Sequence, residues 1–454
     1  MNEIPFTEPA KKLPTSTLFV LLLTVFIGGI GFGIGRPVLP YLVANFGGDQ
    51  AQVASLIGWL SSAFAVCTFL ASPVLGALSD CLGRRPILII SLLGTAVGYK
   101  VFGFAGAIWM LFLAQVIDGL TAGNMSAVFA YIGDSTSKEE RAKVFGLVGA
   151  TMGAAFIIGP SIGALSLQFG LHAPFFLTAA VALLNAVLAF FFLPESLPQT
   201  LRSKKLEVTN FNPFTQLVSI FSLPTLRPFL IANIFFMAAF IGMTGTMALL
   251  LKDVMGWNPQ QTALIFTVVG VVDILVQGVL LGFLLKLFKE RGVTILGFSM
   301  VVFAFVTFAL SPVHHSVWIL LAGTAAFAAG EGMATATLSS MASNAVGSDA
   351  QGKVQGGNQA TQSLLSISIP VAATFMYGHV AVTSPFWAGA VLTLVAVGVV
   401  LALTGKNHDS NSRRTRVMRT KAVLSIQASL DNTAIFHSPQ ALETMLAMFD
   451  QHPE

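Results

Sequence analysis

The sequence predicts an all-α membrane protein with twelve transmembrane helices in two six-helix halves. Of its 454 residues, 55% are hydrophobic and only 10% are charged, against about 25% charged in an ordinary soluble domain. Long apolar runs recur along the chain, and a polar stretch at residues 194–228 divides them into two comparable sets. Along the chain, the short segments between the runs alternate between segments with several Lys and Arg residues and segments with almost none. Together these features indicate a chain that crosses the membrane many times.

The apolar runs can be divided by the length that a helix needs to cross a bilayer. About 30 Å of hydrocarbon requires about 20 apolar residues. The predicted spans cover residues 17–39, 52–75, 86–106, 108–132, 144–168, 173–193, 229–251, 262–286, 293–311, 316–342, 356–379 and 384–404. The chain therefore divides into a cytoplasmic N-terminus (1–16), an N-terminal half (17–193), a central cytoplasmic loop (194–228), a C-terminal half (229–404) and a cytoplasmic tail (405–454).

The positive charges predict which loops face the cytoplasm, because Lys and Arg collect in cytoplasmic loops. Nearly all of them fall in the N-terminus, in alternate loops and in the tail, whereas the opposite loops contain only Lys252. We therefore expect a multi-pass protein of the inner (plasma) membrane with both termini in the cytoplasm. The first span follows Lys11 and Lys12, and its length indicates a retained span rather than a cleaved signal peptide.

Other features argue against several classes of protein. The two cysteines, Cys67 and Cys81, give neither a disulfide framework nor the spacing of a metal site. The net charge of +4 arises from loops and tail and does not indicate a nucleic-acid partner. The sequence contains no G-x-x-x-x-G-K-S/T phosphate loop, which argues against ATP hydrolysis. We expect a monomeric, non-enzymatic protein without metal or cofactor, whose partners are the lipid bilayer, a small-molecule substrate and a coupling ion, the proton.

A charged loop motif follows the second span. Residues 76–86 read G-A-L-S-D-C-L-G-R-R-P, in which glycines permit a tight turn and Asp80 lies within reach of two arginines. This segment resembles the signature G-x-L-x-D-R-x-G-R-R/K of the major facilitator superfamily, with Cys81 where that family has Arg. The resemblance implies the major facilitator fold. It also implies a gating role for five residues, Gly76, Asp80, Gly83, Arg84 and Arg85.

The fifth span carries a series of glycines. Gly149 with Gly153, and Gly159 with Gly163, each leave a smooth patch on the helix, and helix packing alone explains such patches. The later part of the span also resembles the G-x-x-x-G-P-x-x-G motif of the drug/proton antiporter branch, with Ala155 at its first glycine. The resemblance implies an additional role in export for the residues of this series, Gly146, Gly149, Gly153, Gly159, Pro160 and Gly163.

Further segments resemble tetracycline resistance efflux proteins, so that the resemblance covers nearly all of residues 17–404. They are Pro37–Pro40, His172–Phe176, Leu193–Ser196 and Gln351–Gly356, the last followed by Gln359 and Gln362. Those proteins have acids in the first and third spans and an Arg in the fourth, where this chain has Gly28, Gly98 and Gln115. The tetracycline-metal site and the proton path of that group therefore do not carry over directly.

Five ionisable residues lie within predicted spans, Arg36, Lys100, Asp118, Asp273 and Glu331. A charge near the bilayer centre costs about 2.5 to 3.5 kcal/mol, so each should face the bundle interior or water. Arg36 either serves the substrate or snorkels to the interface, which is near. Lys100 is predicted mid-helix, where it either pairs with Asp118 or binds a solute.

The three acids are candidates for the proton-coupling or substrate site. An apolar environment favours the protonated form of a carboxylate, which lets a carrier load and release a proton. Asp118 and Glu331 are the favoured candidates, and Gln115 shares a helix face with Asp118. Asp273, beside Gln277, suits a structural pair.

These features predict proton-coupled antiport that exports a small amphipathic or cationic molecule by alternating access. An alternative within transport is a metabolite or siderophore carrier, in which Arg36 and Lys100 bind an anionic group. An alternative of another class is a non-transporting sensor or scaffold that acts through the tail, where residues 413–421 form a basic patch.

Overall fold

The computed structural model of this chain describes residues 14–122, 124–136, 138–202, 225–345 and 351–402. Most of the predicted cytoplasmic N-terminus, most of the central loop and the predicted tail lie outside these residues. The division into two halves and a tail therefore remains a prediction at those boundaries.

The described residues form thirteen α-helices. They are α1 (Thr15–Ala44), α2 (Gln50–Leu82), α3 (Arg84–Gly103), α4 (Ile108–Thr121), α5 (Asn124–Ser135), α6 (Lys138–Ser166), α7 (Ala173–Phe192), α8 (Arg227–Asp253), α9 (Pro259–Leu275), α10 (Leu281–His314), α11 (Val317–Asn344), α12 (Gln351–His379) and α13 (Ser384–Ala402). A π-helical turn, Val276–Leu280, joins α9 to α10.

Local signals in the sequence explain where several helices begin. Asp49 caps α2 by accepting a hydrogen bond of 2.8 Å from the backbone N–H of Gln52. Asn258 and Gln261 form a reciprocal capping box at the start of α9, with Pro259 at its first position. Gly83 separates α2 from α3 with φ of 108°, a conformation that favours glycine.

Most helices follow the predicted spans. The fourth predicted span is described as α4 and α5, on either side of residue 123, which lies outside the described residues. The eighth and ninth predicted spans form one helical run from Pro259 to His314, which is broken at Lys289 by non-helical angles (φ 56°, ψ 170°). Eight helical stretches of the described chain are long and apolar enough to cross a membrane. The number of twelve spans remains a prediction.

The two halves of the bundle meet at one end. We call this the Tyr41 end, since it contains the end of α1, and we call the opposite end, with the loop between α2 and α3, the Arg84 end. Across the halves, α2 packs against α12 and α6 packs against α9. One apolar core joins both halves, and its members from the N-terminal half all come from helix segments at the Tyr41 end. Nearer the Arg84 end, the N-terminal half has a core of its own around Leu88 and Tyr131.

Candidate functional site: a cavity with two carboxylates

A cavity of about 170 Å³ lies mainly among helices of the C-terminal half. Helices α8, α9, α10 and α11 line it, and α6 of the other half contributes one residue. The lining residues are Pro160, Phe240, Met243, Thr244, Met247, Ile265, Phe266, Val269, Gly270, Asp273, Phe308, Thr324, Phe327 and Glu331. Two of the predicted site acids therefore share one cavity, and the antiporter-like motif reaches it through Pro160.

The cavity wall is apolar and aromatic apart from its two acids and two threonines. Phe240 stacks on Phe327 with ring centroids 6.0 Å apart and an interplanar angle of 18°. Phe308 lies 6.4 Å from the same ring. Aromatic faces attract cations, and methionine side chains adapt to ligands of varied shape. The described lining includes no Lys, Arg or His, so its chemistry suits an apolar molecule with a positive charge.

Asp273 is held by a neighbour on its own helix. Gln277 Nε2 donates a hydrogen bond of 2.7 Å to Asp273 Oδ1. The two residues are four apart and therefore share a helix face, although Gln277 already belongs to the π-helical turn. Both pack on Gly332 of α11, because a Cβ there would overlap Asp273 Oδ1 and lie 3.2 Å from Gln277 Nε2. Gly332 thus leaves the space that this pair occupies.

Glu331 precedes that glycine and faces the same cavity. Its side chain is half-buried, and within the described part of the chain no hydrogen-bond donor meets its carboxylate. Glu331 and Asp273 interact electrostatically, so they repel each other when both are ionised. Each acid lies 14 residues from the first residue of its helix at the Tyr41 end, which is about 21 Å along the axis and places the two at similar depth.

Asp118 lies elsewhere, at the contact between α3 and α4. Its Oδ1 accepts a hydrogen bond of 3.1 Å from Thr95 Oγ1. Gly98 makes room for it, since a Cβ on Gly98 would lie 3.1 Å from Asp118 Cβ. Asp118 and Gln115 do not line the cavity described above. The structure thus separates Asp118 from Asp273 and Glu331.

The two basic candidates also lie apart from the cavity lining. Lys100 is exposed in the last turn of α3, so its predicted mid-helix position is wrong. The predicted ion pair between Lys100 and Asp118 is absent from the described ion pairs. Gly98 is the residue of α3 that faces Asp118, and Lys100, two positions further on, projects from roughly the opposite side of that helix and is exposed. Arg36 belongs to α1, and its side chain lies outside the described part.

The loop motif forms a compact charged cluster at the Arg84 end. Arg84 contacts Asp80 at 2.5 Å and Asp134 at 3.0 Å, and it donates a hydrogen bond of 2.7 Å to Ser79 Oγ. The motif predicted the Asp80 contact but not Asp134, which lies at the end of α5. Arg84 therefore ties the loop to another helix of the same half.

A second acid that the motif does not contain completes this cluster. Glu195 Oε1 accepts a hydrogen bond of 2.8 Å from the backbone N–H of Arg84, and its Oε2 accepts one of 3.3 Å from that of Arg85. Glu195 thus caps α3, where partial positive charge and free N–H groups favour a carboxylate. Arg85 stacks 5.5 Å from the ring centre of Phe190 and donates to the Phe190 carbonyl. The sequence shows Glu195 just after the sixth span, where we interpreted it as part of a polar loop and of the segment Leu193–Ser196 that resembles tetracycline efflux proteins.

The glycine series of α6 does not behave as a packing patch throughout. Among the described residues, a Cβ on Gly149 or Gly153 would meet nothing within 4 Å, so this pair does not pack closely on them, contrary to the packing interpretation. Gly163 does, because its Cβ would lie 3.6 Å from Ile34. Gly159 is buried, and Gly146 lies among the residues whose side-chain surroundings are not described.

Several polar contacts between distant residues, at the Tyr41 end and deeper in the bundle, were not predicted. Tyr41 Oη donates a hydrogen bond of 2.7 Å to the Trp257 carbonyl and lies 2.7 Å from Thr262 Oγ1. Tyr377 Oη donates one of 3.1 Å to Asp253 Oδ2, within the C-terminal half. Ser62 Oγ donates one of 2.7 Å to the Ile367 carbonyl, and Ser161 Oγ lies 3.0 Å from Thr267 Oγ1. Such contacts join residues distant in sequence, and no local pattern marks them.

Comparisons with known proteins match most of the chain. The family model described as Major Facilitator Superfamily matches residues 21–313 and 250–449. The class C tetracycline resistance protein of Escherichia coli is 31% identical over 405 residues, which is 88% of this chain and 98% of that protein. Multidrug resistance protein 2 of Bacillus subtilis (strain 168) is 29% identical over 399 residues, which is 87% of this chain and 97% of that protein.

Solved structures support the same fold. The human organic anion transporter MFSD10 (TETRAN) superposes with a TM-score of 0.64 and 22% identity, covering 86% of this chain and 100% of that one. The nucleoside transporter NupG superposes with a TM-score of 0.68 and 15% identity, covering 85% and 99% of the two chains. At these identities the likeness concerns the fold alone.

Proposed function

The chain belongs to the major facilitator superfamily, as its loop motif predicts, and we propose that it exports a small amphipathic cation in exchange for protons. One observation carries this proposal, the apolar aromatic cavity with two carboxylates at similar depth. An ionised acid in such a cavity costs free energy unless a positive charge compensates it, either a cationic group of a ligand or a bound proton. A site that exchanges a bound proton for a cationic ligand supports antiport.

The arrangement of the halves supports alternating access. By the distribution of Lys and Arg, the Arg84 end faces the cytoplasm and the Tyr41 end faces outside. The halves join at the Tyr41 end through Tyr41 and deeper in the bundle through Ser62, so the conformation is one that is closed to the outside. Rocking of the halves around the cavity would then release the ligand outwards.

The related proteins support a drug as the exported molecule. The relatives at about 30% identity are named for resistance to tetracycline and to several drugs. The cavity of this chain obtains its acids from α9 and α11, whereas Gly28 and Gly98 stand at the positions in the first and third spans where tetracycline exporters have acids. We therefore expect lipophilic cations to be better substrates than tetracycline.

The alternatives have less support. An anionic metabolite or siderophore needs a base in the binding cavity, and the described lining contains none. Lys100, which was expected to bind the anionic group in that alternative, is exposed at a helix end. A sensor or scaffold acting through the tail depends on residues 405–454, which lie outside the described part.

Accumulation of ethidium and of tetracycline in a bacterium that lacks its own exporters tests this function. Cells expressing the chain should hold several-fold less ethidium than control cells, and a protonophore should remove the difference. Glu331→Gln should remove it too, whereas Asp118→Asn, the matched acid at the α3–α4 contact, should keep it. Equal accumulation in cells with and without well-inserted protein would contradict the proposal.

A further inference from the structure

The two cavity acids differ in their surroundings. Asp273 receives a hydrogen bond of 2.7 Å from Gln277 and packs against Gly332, so its position is fixed. Glu331 has no donor to its carboxylate among the described residues. Donation to a carboxylate stabilises its charged form, whereas an apolar site without a donor stabilises the neutral form. Two acids in unlike surroundings commonly take unlike roles.

From this asymmetry, and resting on the proposed function, we propose that Asp273, positioned by Gln277, anchors the cationic group of the ligand while Glu331 carries the proton. In the empty cavity, repulsion between the acids leaves one of them neutral, and Glu331 is the one without a compensating donor. Asp273 then remains the charged group that a cation meets first.

The exchange step follows from these charges. When a monovalent cation enters beside Asp273, its positive charge stabilises the ionised form of Glu331 as well, and the Glu331 carboxyl group releases its proton to cytoplasmic water. When the cavity opens outwards, a proton from outside binds the Glu331 carboxylate and the cation leaves. The proton-loaded cavity has a net charge of minus one, because Asp273 is ionised and Glu331 is neutral. The cation-loaded cavity has the same net charge, because both acids are ionised and the cation contributes plus one. One proton entering for each monovalent cation leaving is electroneutral.

Few other charges bear on this pair. Among described side chains only these two acids are charged in the cavity wall. Charged and titratable residues of the packed helices within the described part lie near helix ends or near the break in α10, and they are Tyr41 on α1, Arg227, Lys252 and Asp253 on α8, Lys286, Lys289, Glu290, Arg291 and His314 on α10, and Tyr377 and His379 on α12. The side chains of Arg36 on α1, of Lys138, Glu139, Glu140, Arg141 and Lys143 on α6, and of Lys353 on α12 lie outside it.

Gln277 is a positioning residue in this account, because it acts on the ligand only through Asp273. Gln277→Leu should raise KM for the cation several-fold with little change in kcat, since the carboxylate is no longer held towards the ligand. A residue with a merely structural role would lower the amount of folded protein or kcat without this change in KM.

Purified full-length protein in liposomes tests the division of roles with N-methyl-4-phenylpyridinium, an aromatic monovalent cation. Two rates are measured: exchange of labelled for unlabelled cation at equal pH on both sides, and uptake driven by a pH difference. Glu331→Gln should keep exchange within about twofold but lose at least tenfold of the driven uptake. Asp273→Asn should lose both, and Asp273→Glu, which keeps the charge, should recover part of the exchange. A potassium diffusion potential set with valinomycin should leave the wild-type driven rate unchanged.

The outcomes separate this inference from the proposed function. Retained exchange in Asp273→Asn together with lost exchange in Glu331→Gln would overturn the assignment while leaving cation export intact. Wild-type uptake that follows the membrane potential would overturn the electroneutral step. No wild-type exchange at all, from protein that is monodisperse and folded, would overturn the proposed function and the division of roles with it.

Discussion

At the residue scale, the informative positions are those where a side chain is held or excluded by one specific neighbour. Asp273 depends on a hydrogen bond from Gln277 and on the space that Gly332 leaves. Asp118, which the sequence favoured, has the same chemistry but sits against Thr95 at a helix contact. Sequence position placed all three acids inside the bundle, and only packing distinguishes which of them share a cavity.

Gly332→Ala tests the space beside the acid pair. The new methyl group would displace the Asp273 and Gln277 side chains, so KM for a cationic substrate should rise about tenfold, which corresponds to about 1.4 kcal/mol. Transport kinetics in liposomes measure this change. Gly398→Ala, where a Cβ would meet nothing within 4 Å, is the matched control and should keep the wild-type KM. An unaltered KM in both variants would show that the pair does not contact the ligand.

Lys289 offers a second test at this scale. Its angles, φ 56° and ψ 170°, lie in a region that essentially only glycine adopts, at a cost of about 1–3 kcal/mol. Lys289→Gly should therefore raise the Tm of the purified protein by a few degrees. Lys289→Ala removes the same side chain but keeps the strain, so it should not stabilise. A lower Tm for Lys289→Gly than for Lys289→Ala would contradict the strained turn.

At the element scale, the sequence predicted much of the architecture but not how its helices pair. Apolar runs and local caps such as Asp49 and Asn258 fix where helices begin. The helical run from Pro259 to His314, with its break at Lys289, was missed, because hydropathy alone does not show how a backbone bends. The capping of α3 by Glu195 was also missed, since it joins residues more than a hundred positions apart.

Glu195→Ala tests that cap. Loss of its hydrogen bonds to the backbone of Arg84 and Arg85 should destabilise the protein by about 0.5–2 kcal/mol, in the range of other helix caps. Thermal unfolding followed by intrinsic fluorescence measures the loss. Glu195→Asp should recover less than half of it, because the shorter side chain reaches the two N–H groups less well. Wild-type stability in Glu195→Ala would show that these hydrogen bonds do not stabilise α3.

The open face of α6 gives a prediction about movement. Gly149 and Gly153 on α6, and Gly278 and Gly282 beyond α9, all have empty space where a Cβ would stand, and α6 packs on α9 near the Tyr41 end. We expect these glycines to meet when the Arg84 end closes. Gly149→Val with Gly153→Val should leave the Tm unchanged but reduce transport at least tenfold. Gly398→Val should affect neither, and normal transport in the double variant would refute this closing contact.

At the scale of the whole molecule, different polar contacts hold the two ends of the helix bundle. Tyr41 of the N-terminal half bonds to the Trp257 carbonyl of the C-terminal half at the Tyr41 end, whereas among the described residues the ion pairs of Arg84 join helices of the N-terminal half. The five Trp residues of the chain, Trp59, Trp109, Trp257, Trp318 and Trp387, all lie towards the Tyr41 end, as expected for one membrane–water interface. The distribution of Lys and Arg in the sequence predicted that the two ends of the bundle differ. That the halves meet at the Tyr41 end could be learned only from the contacts between them.

Cation binding in the cavity that Asp273 and Glu331 line is tested by equilibrium binding of N-methyl-4-phenylpyridinium to the purified protein. The double variant with Asp273→Asn and Glu331→Gln should bind at least tenfold more weakly than the wild-type protein, whereas Asp118→Asn should bind as the wild-type protein does. Undiminished binding by the double variant, together with loss of binding in Asp118→Asn, would contradict cation binding in this cavity.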